Sequence, residues 1–192
     1  MIRAALISAL FVAGICAGCT SKTDHPDGNS NAGPLFAERF IEYRPSGVTI
    51  AVLKDWDVSI TGQTATMYSP DKELTALVYA SPEKTYEDAL KKGIEQVATY
   101  VDSARTDGTN IKWDIVPGLS ATNEKGIGVK AGKPVGWGSC VVKTPAAPLQ
   151  VVWYVGANTP NRDADLEQMR LTLSNIRLLS NSKRTANNYI VE

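Results

Sequence analysis

The sequence predicts an α+β fold in which an antiparallel sheet is flanked by helices, an α-β-α sandwich. Three observations lead there. Short stretches with strand-like alternation are joined by turns of two to four residues. Only two stretches carry a helical stripe. They fall in the order strands, helix, strands, helix, with no regular strand-helix alternation that would build a parallel sheet.

The chain opens on an export signal. Arg3 supplies a positive n-region, Ala4 to Cys16 is an uncharged and largely apolar run, and Ala17-Gly18-Cys19 follows. The run is shorter than the ~20 residues a spanning helix needs. Residues 1–18 therefore read as a signal peptide and Cys19 as the site of lipidation, which would hold the protein to membrane lipid. A bacterial lipobox usually has leucine three positions before its cysteine, where this chain has Cys16, with Ile15 one position earlier. Ordinary cleavage after Gly18, giving a soluble exported protein, is the competing reading, and both stay open here.

Residues 19–34 form the tether. Thr20 to Pro34 (TSKTDHPDGNSNAGP) is polar and without periodicity, a flexible spacer with a reach on the order of 20 Å. His25, the one histidine of the chain, lies in it.

One globular domain follows over residues 35–180, long enough for a core of its own. Val48, Ile50 and Val52 alternate as a strand, and Trp56, Val58 and Ile60 resume the pattern after Lys54-Asp55. Thr61-Gly62-Gln63 turns the chain into Thr64–Ser69, and Pro70-Asp71-Lys72 turns it again into the more apolar Leu74–Ala80. Thr85 then caps a helix, with Asp88 three residues on. Its stripe is Tyr86, Leu90, Ile94, Val97 and Val101, and Asp107-Gly108 is expected to end the run. Ile111, Trp113 and Ile115 form the next strand, closed by Pro117-Gly118. Gly126 to Gly138 reads as a glycine-rich loop or hairpin, followed by strands at Ser139–Lys143 and Leu149–Gly156. A second helix starts near Pro160 with the stripe Leu166, Met169, Leu173 and Ile176. Residues 181–192 read as a polar, frayed tail.

Composition excludes several function classes. Lys plus Arg and Asp plus Glu are equal at 20 each, so no bulk charge recruits nucleic acid. With the histidine in the spacer, no histidine-based triad or Cys/His zinc site can be assembled in the domain. Ser139 lacks the glycine two positions later that a nucleophile elbow needs. Gly126-Ile127-Gly128 imitates a dinucleotide fingerprint, but no helical period follows it. Asn161, Asp163 and Asp165 alternate like the start of a calcium loop, yet Leu166 stands where that loop needs glycine. Asp55 and Asp57 flank Trp56 at a strand start, where exposure is the default. Cys140, left unpaired once Cys16 and Cys19 are accounted for, sits in an apolar run as a buried, inert thiol. The reading is of a non-enzyme with no catalytic residue, no cofactor and no metal. Lys125, Lys130 and Lys133 give the glycine-rich segment a weak anion-contacting character. Trp56, Trp113 and Trp153 belong in the core by alternation. Trp137, between Gly136 and Gly138, is the candidate ligand or partner contact.

Gly47-Val48-Thr49-Ile50-Ala51-Val52 leading into Lys54-Asp55-Trp56, with the element order above, resembles the PsbP and DcrB group, which also includes the Mog proteins. The resemblance runs from about Arg39 to Leu179. It implies an α-β-α sandwich, export as a lipoprotein in bacteria, and a non-enzymatic accessory role; the group has no shared catalytic residues to carry over. The expectation is a membrane-anchored protein of the cell envelope, facing the periplasm or exterior, that acts as a binding or assembly module with an envelope protein partner. The alternative is a periplasmic carrier of a small ligand using the Gly126–Gly138 segment.

Overall fold

The computed structural model describes residues 36–179 and 188–192. The signal, Cys19, the spacer with His25 and the first part of the tail lie outside the described residues. Two sheets and three helices make up the domain. The large sheet has seven strands in the spatial order β3 (Asp57–Thr61), β4 (Thr64–Tyr68), β5 (Leu74–Ala80), β9 (Leu149–Gly156), β8 (Lys133–Lys143), β7 (Leu119–Lys130) and β6 (Asp102–Val116). Every neighbouring pair in it is antiparallel. The small sheet runs β10 (Ile176–Leu178), β2 (Val48–Leu53), β1 (Phe36–Tyr43), β11 (Tyr189–Val191), and β1 with β11 is its one parallel pair.

The large sheet is covered on both faces. On one lie α1 (Tyr86–Lys91) and α2 (Gly93–Ala98); on the other lie the small sheet and α3 (Arg162–Ser174). The main core forms on the second face, where Leu74, Ala76, Val151, Val155, Cys140 and Val142 meet Ile50, Val52, Met169 and Ile176. Under α2 a smaller core gathers Val97, Val101, Val135, Trp137 and Val152. Double coverage explains why Leu149–Gly156 is apolar almost without interruption: side chains of both parities are buried, as in a central strand of a layered fold.

Trp56 fixes α3 onto this frame. The ring is 1% exposed, its indole N–H donates to Gln168 Oε1 at 2.8 Å, and its carbonyl accepts from Arg39 at 3.1 Å. Tyr43 does the same for the small sheet. Its hydroxyl donates to the Gln63 carbonyl at 2.5 Å in the β3–β4 turn and accepts from the Ala80 amide at 2.7 Å at the end of β5.

The α+β class stands, but sheet dominates more than a sandwich of one sheet between helices would allow. Strands β1, β10 and β11 were not anticipated, and they supply three of the four strands of the second sheet. Four local expectations also change. Thr85 caps its helix as expected, with Oγ1 accepting from the Asp88 amide at 3.1 Å, but the helix breaks at Lys92 (φ −90, ψ −1) just before Gly93. A Cβ at Gly93 would lie 3.4 Å from the Glu124 carboxylate beneath it, so close approach to the sheet adds to glycine's poor helix propensity. Asp107-Gly108 does not end the helix; it lies inside β6, where the pairing with β7 shifts register. Of the loop and the hairpin left open for Gly126 to Gly138, the chain forms the hairpin, turned by Ala131 (φ 49) and Gly132 (φ 77). Ile176 belongs to β10 rather than to the helix. The end of the tail pairs as β11 along β1, with Val191 buried.

Removing one hydroxyl tests the joint between the sheets. Tyr43→Phe should keep the packing and lower unfolding stability in urea by about 1–2 kcal/mol, since two hydrogen bonds lose their partner.

The groove between α3 and the large sheet

Strand alternation places the glycines and tryptophan of Gly136-Trp137-Gly138 on opposite faces of β8. Trp137 lies on the α2 side, 1% exposed, and its indole N–H donates to the Ile127 carbonyl at 3.0 Å. Its ring crosses Gly126, the residue opposite it on β7: a Cβ there would come within 2.5 Å of the indole. Trp153 of β9 repeats the arrangement on the other face. It lies across its own cross-strand partner, Gly138, where a Cβ would sit 2.1 Å from the ring. Each indole fills the space of a missing side chain, the way an aromatic shields a strand glycine.

On the α3 side, Gly136 and Gly138 leave β8 without side chains; the Trp153 indole covers Gly138, and over Gly136 a groove of about 720 Å3 opens. Its floor is Gly136, Trp153, Asn123, Lys125 and Ile127; α3 forms one wall through Leu166, Met169 and Leu173, and β6 forms the other through Ile111 and Trp113. The volume falls within the ~300–1,000 Å3 of small-molecule sites. Ile127 is 65% exposed and Ile111 45% exposed, so the mouth is apolar. Arg162 reaches over Gly136, with Nη2 3.3 Å from where a Cβ would be.

Several polar atoms of these walls are unsatisfied. Trp113 Nε1, Trp153 Nε1, Arg162 Nε and Asn123 Oδ1 are buried without a hydrogen-bond partner among the described residues. Each such atom costs about 1–3 kcal/mol if nothing meets it. Of the three rim acids, by contrast, two are occupied and Asp163 is solvent-exposed. Glu167 holds the Arg170 fork at 2.8 and 2.6 Å, Asp163 lies 3.8 Å from Arg162, and Asp107 accepts the Thr109 amide at 2.7 Å.

The residues singled out by sequence are not brought together here. Trp137 borders the groove, but its ring is locked in the core beneath α2, so it is not an exposed loop residue. Trp153 is in the core as expected and Trp113 packs against that core, and both also line the groove. The signal that would have found it is the Gly-X-Gly spacing itself, which in a strand empties one face. Of the three lysines, Lys125 faces the groove, whereas Lys130 donates to the Tyr100 carbonyl at 2.5 Å and lies over the Tyr154 ring. Cys140 is buried, and burial pushes its thiol pKa up. Asn161, Asp163 and Asp165 do not converge. Asp163 is exposed, Asn161 donates to Asp71 at 2.9 Å, and Asp165 is buried with Oδ2 unpartnered. Among the described residues no three His, Cys, Asp or Glu side chains gather as metal ligands. No helix among them is long and apolar enough to cross a membrane.

No protein-family profile and no curated protein sequence matches the chain. Solved structures do. The solution structure of cyanobacterial PsbP (CyanoP) from Synechocystis sp. PCC 6803 superposes with a TM-score of 0.51 at 10% identity, over 77% of this chain and 95% of that one. The fold is PsbP-like. LpqN of Mycobacterium tuberculosis, described as involved in cell envelope biogenesis, gives a TM-score of 0.48 at 12% identity over 68% of this chain and 82% of its own. A protein from Bacteroides thetaiotaomicron VPI-5482 gives 0.45 at 13% identity over 72% of this chain; the match spans about half of that protein's length, 47%.

Two substitutions test this PsbP-like domain around the groove. Gly138→Ala should drive the Trp153 indole off β8, costing about 1–3 kcal/mol as an overpacked site and shifting tryptophan emission to the red. Asp165 carries the second. Its carboxyl pKa is raised, first by burial and then by the charges of Asp71 and Glu73. With the folded-state value above the unfolded one, ionisation disfavours the fold: the cost is present above the raised value and vanishes as pH falls to the ordinary carboxylate range. Asp165→Asn should therefore raise Tm near neutral pH by about 2–4 °C, with the gain fading in acid.

Proposed function

We propose that this protein is a non-enzymatic binding module of the cell envelope, exported by residues 1–18, held to the membrane by lipid on Cys19, and that it binds a small ligand in the α3 groove. The groove carries the reading: it is of ligand size, apolar at its mouth, and walled by buried polar atoms that no described residue satisfies. The chemistry on its walls supports binding rather than turnover. Two of its three carboxylates are engaged, by Arg170 and the Thr109 amide, and among the described residues no nucleophile-base pair borders it. The carrier function once assigned to the Gly126–Gly138 segment thus moves to the opposite face of the same hairpin.

A second reading, assembly with an envelope protein, is favoured by β6. This edge strand of the large sheet is exposed along most of its length, and an unpaired edge accepts a partner strand.

Two experiments bear on the proposal. Cys19→Ser should move the mature protein from the membrane fraction to the soluble fraction; retention at the membrane would remove the lipid anchor from the account. The protein should also be incubated with a solvent extract of envelope small molecules, repurified and analysed by mass spectrometry. A defined compound should co-purify unchanged and be lost in Leu166→Arg, which puts a charge on the groove wall. Recovery of a chemically altered compound would sink the non-enzymatic reading, and failure to retain any compound would leave β6 as the binding surface.

A further inference from the structure

Resting on the groove reading above, the chemistry of its walls points further, to the class of ligand. We infer that the groove takes an apolar monoanion, a compound with a hydrocarbon body and one carboxylate head. Four buried polar atoms on its walls lack partners, and three of them, Trp113 Nε1, Trp153 Nε1 and Arg162 Nε, belong to groups that only donate. The fourth, Asn123 Oδ1, is on an amide that can present either end. The walls therefore offer more donors than acceptors, and what fills the groove must accept.

Charge runs the same way. Three cations and three acids border the groove: Lys125, Arg162 and Arg170 against Asp107, Asp163 and Glu167. Glu167 is fully used by Arg170. Asp163 is largely solvated and meets Arg162 only at 3.8 Å, through Nη1. Lys125 makes no ion pair or side-chain hydrogen bond within the described residues and acts on Asp107 only at longer electrostatic range. Arg162 shares its charge with Asp163 and Lys125 acts at range on Asp107, so together they are left to meet one negative charge. A second charge would find no further free cation on the groove among the described residues. Most of the remaining lining (Ile111, Ile127, Leu166, Met169 and Leu173) is apolar, and Ser174 spends its hydroxyl on the Arg170 carbonyl, which makes the body of the ligand hydrocarbon.

The test is calorimetric titration of the mature protein with matched pairs that differ in head charge alone: 1-naphthylacetate against 1-naphthylacetamide, and decanoate against decanamide. At least one carboxylate should bind at least ten-fold more tightly than its amide. Arg162→Met and Lys125→Met, both at solvent-accessible side chains, should each weaken the acid about ten-fold and leave the amide unchanged. Equal affinity for acid and amide, with both lost in Leu166→Arg, would overturn the anionic head and leave the groove as a ligand site. Carboxylate binding that survives Leu166→Trp, which fills the groove without adding a charge, would place the site elsewhere and overturn both. Failure of both carboxylates to bind at millimolar concentration would overturn the inference, while the co-purification experiment decides the groove separately.

Discussion

The fold depends on β8 and β9 being buried on both faces at once. Val151, Trp153 and Val155 of β9 enter one core while Val152 enters another, and β8 divides Cys140 and Val142 from Val135 and Trp137 in the same way. Neither α1–α2 nor the small sheet with α3 has a second layer to pack on; each is held by its own side of these two strands. Fixing strands from both sides also dictates where a gap can survive. Where β8 presents glycines on one face, the layer above cannot settle fully, and the groove is the space that remains between α3 and β6.

The two indoles of the hairpin region show how geometry reassigns residues of like chemistry. Trp137 and Trp153 each shield a glycine across a strand boundary, but on opposite faces. One donates its N–H to a backbone carbonyl and is finished as a structural residue. The other keeps an unmet donor.

Much of the architecture was legible in the sequence because alternation and turn chemistry are local. The meander from Asp57 to Ala80, the Thr85 cap and the start of α3 all follow from residues close in sequence, whereas the departure of Val48–Leu53 to the second sheet does not. The second sheet was hidden because β10 and β11 are three residues each and owe their conformation to β2 and β1 rather than to their own composition. The groove was hidden for a related reason. Gly136-Trp137-Gly138 was conspicuous, but whether it belonged to a loop or a strand decided which way Trp137 faced, and only pairing with β7 and β9 settles that. Trp113, Trp153, Asn123 and Arg162 come from separate elements, and no spacing in the sequence joins them.

The pairing of β11 with β1 has a consequence for how the protein is made. The first and last strands of the domain are hydrogen-bonded side by side, so the small sheet closes only when the two ends of the domain meet. Contacts between such distant segments form late, since loop closure is slow and local structure precedes it. A chain that has grown only as far as the β3–β5 meander can collapse around it, yet it lacks the strand that completes the small sheet.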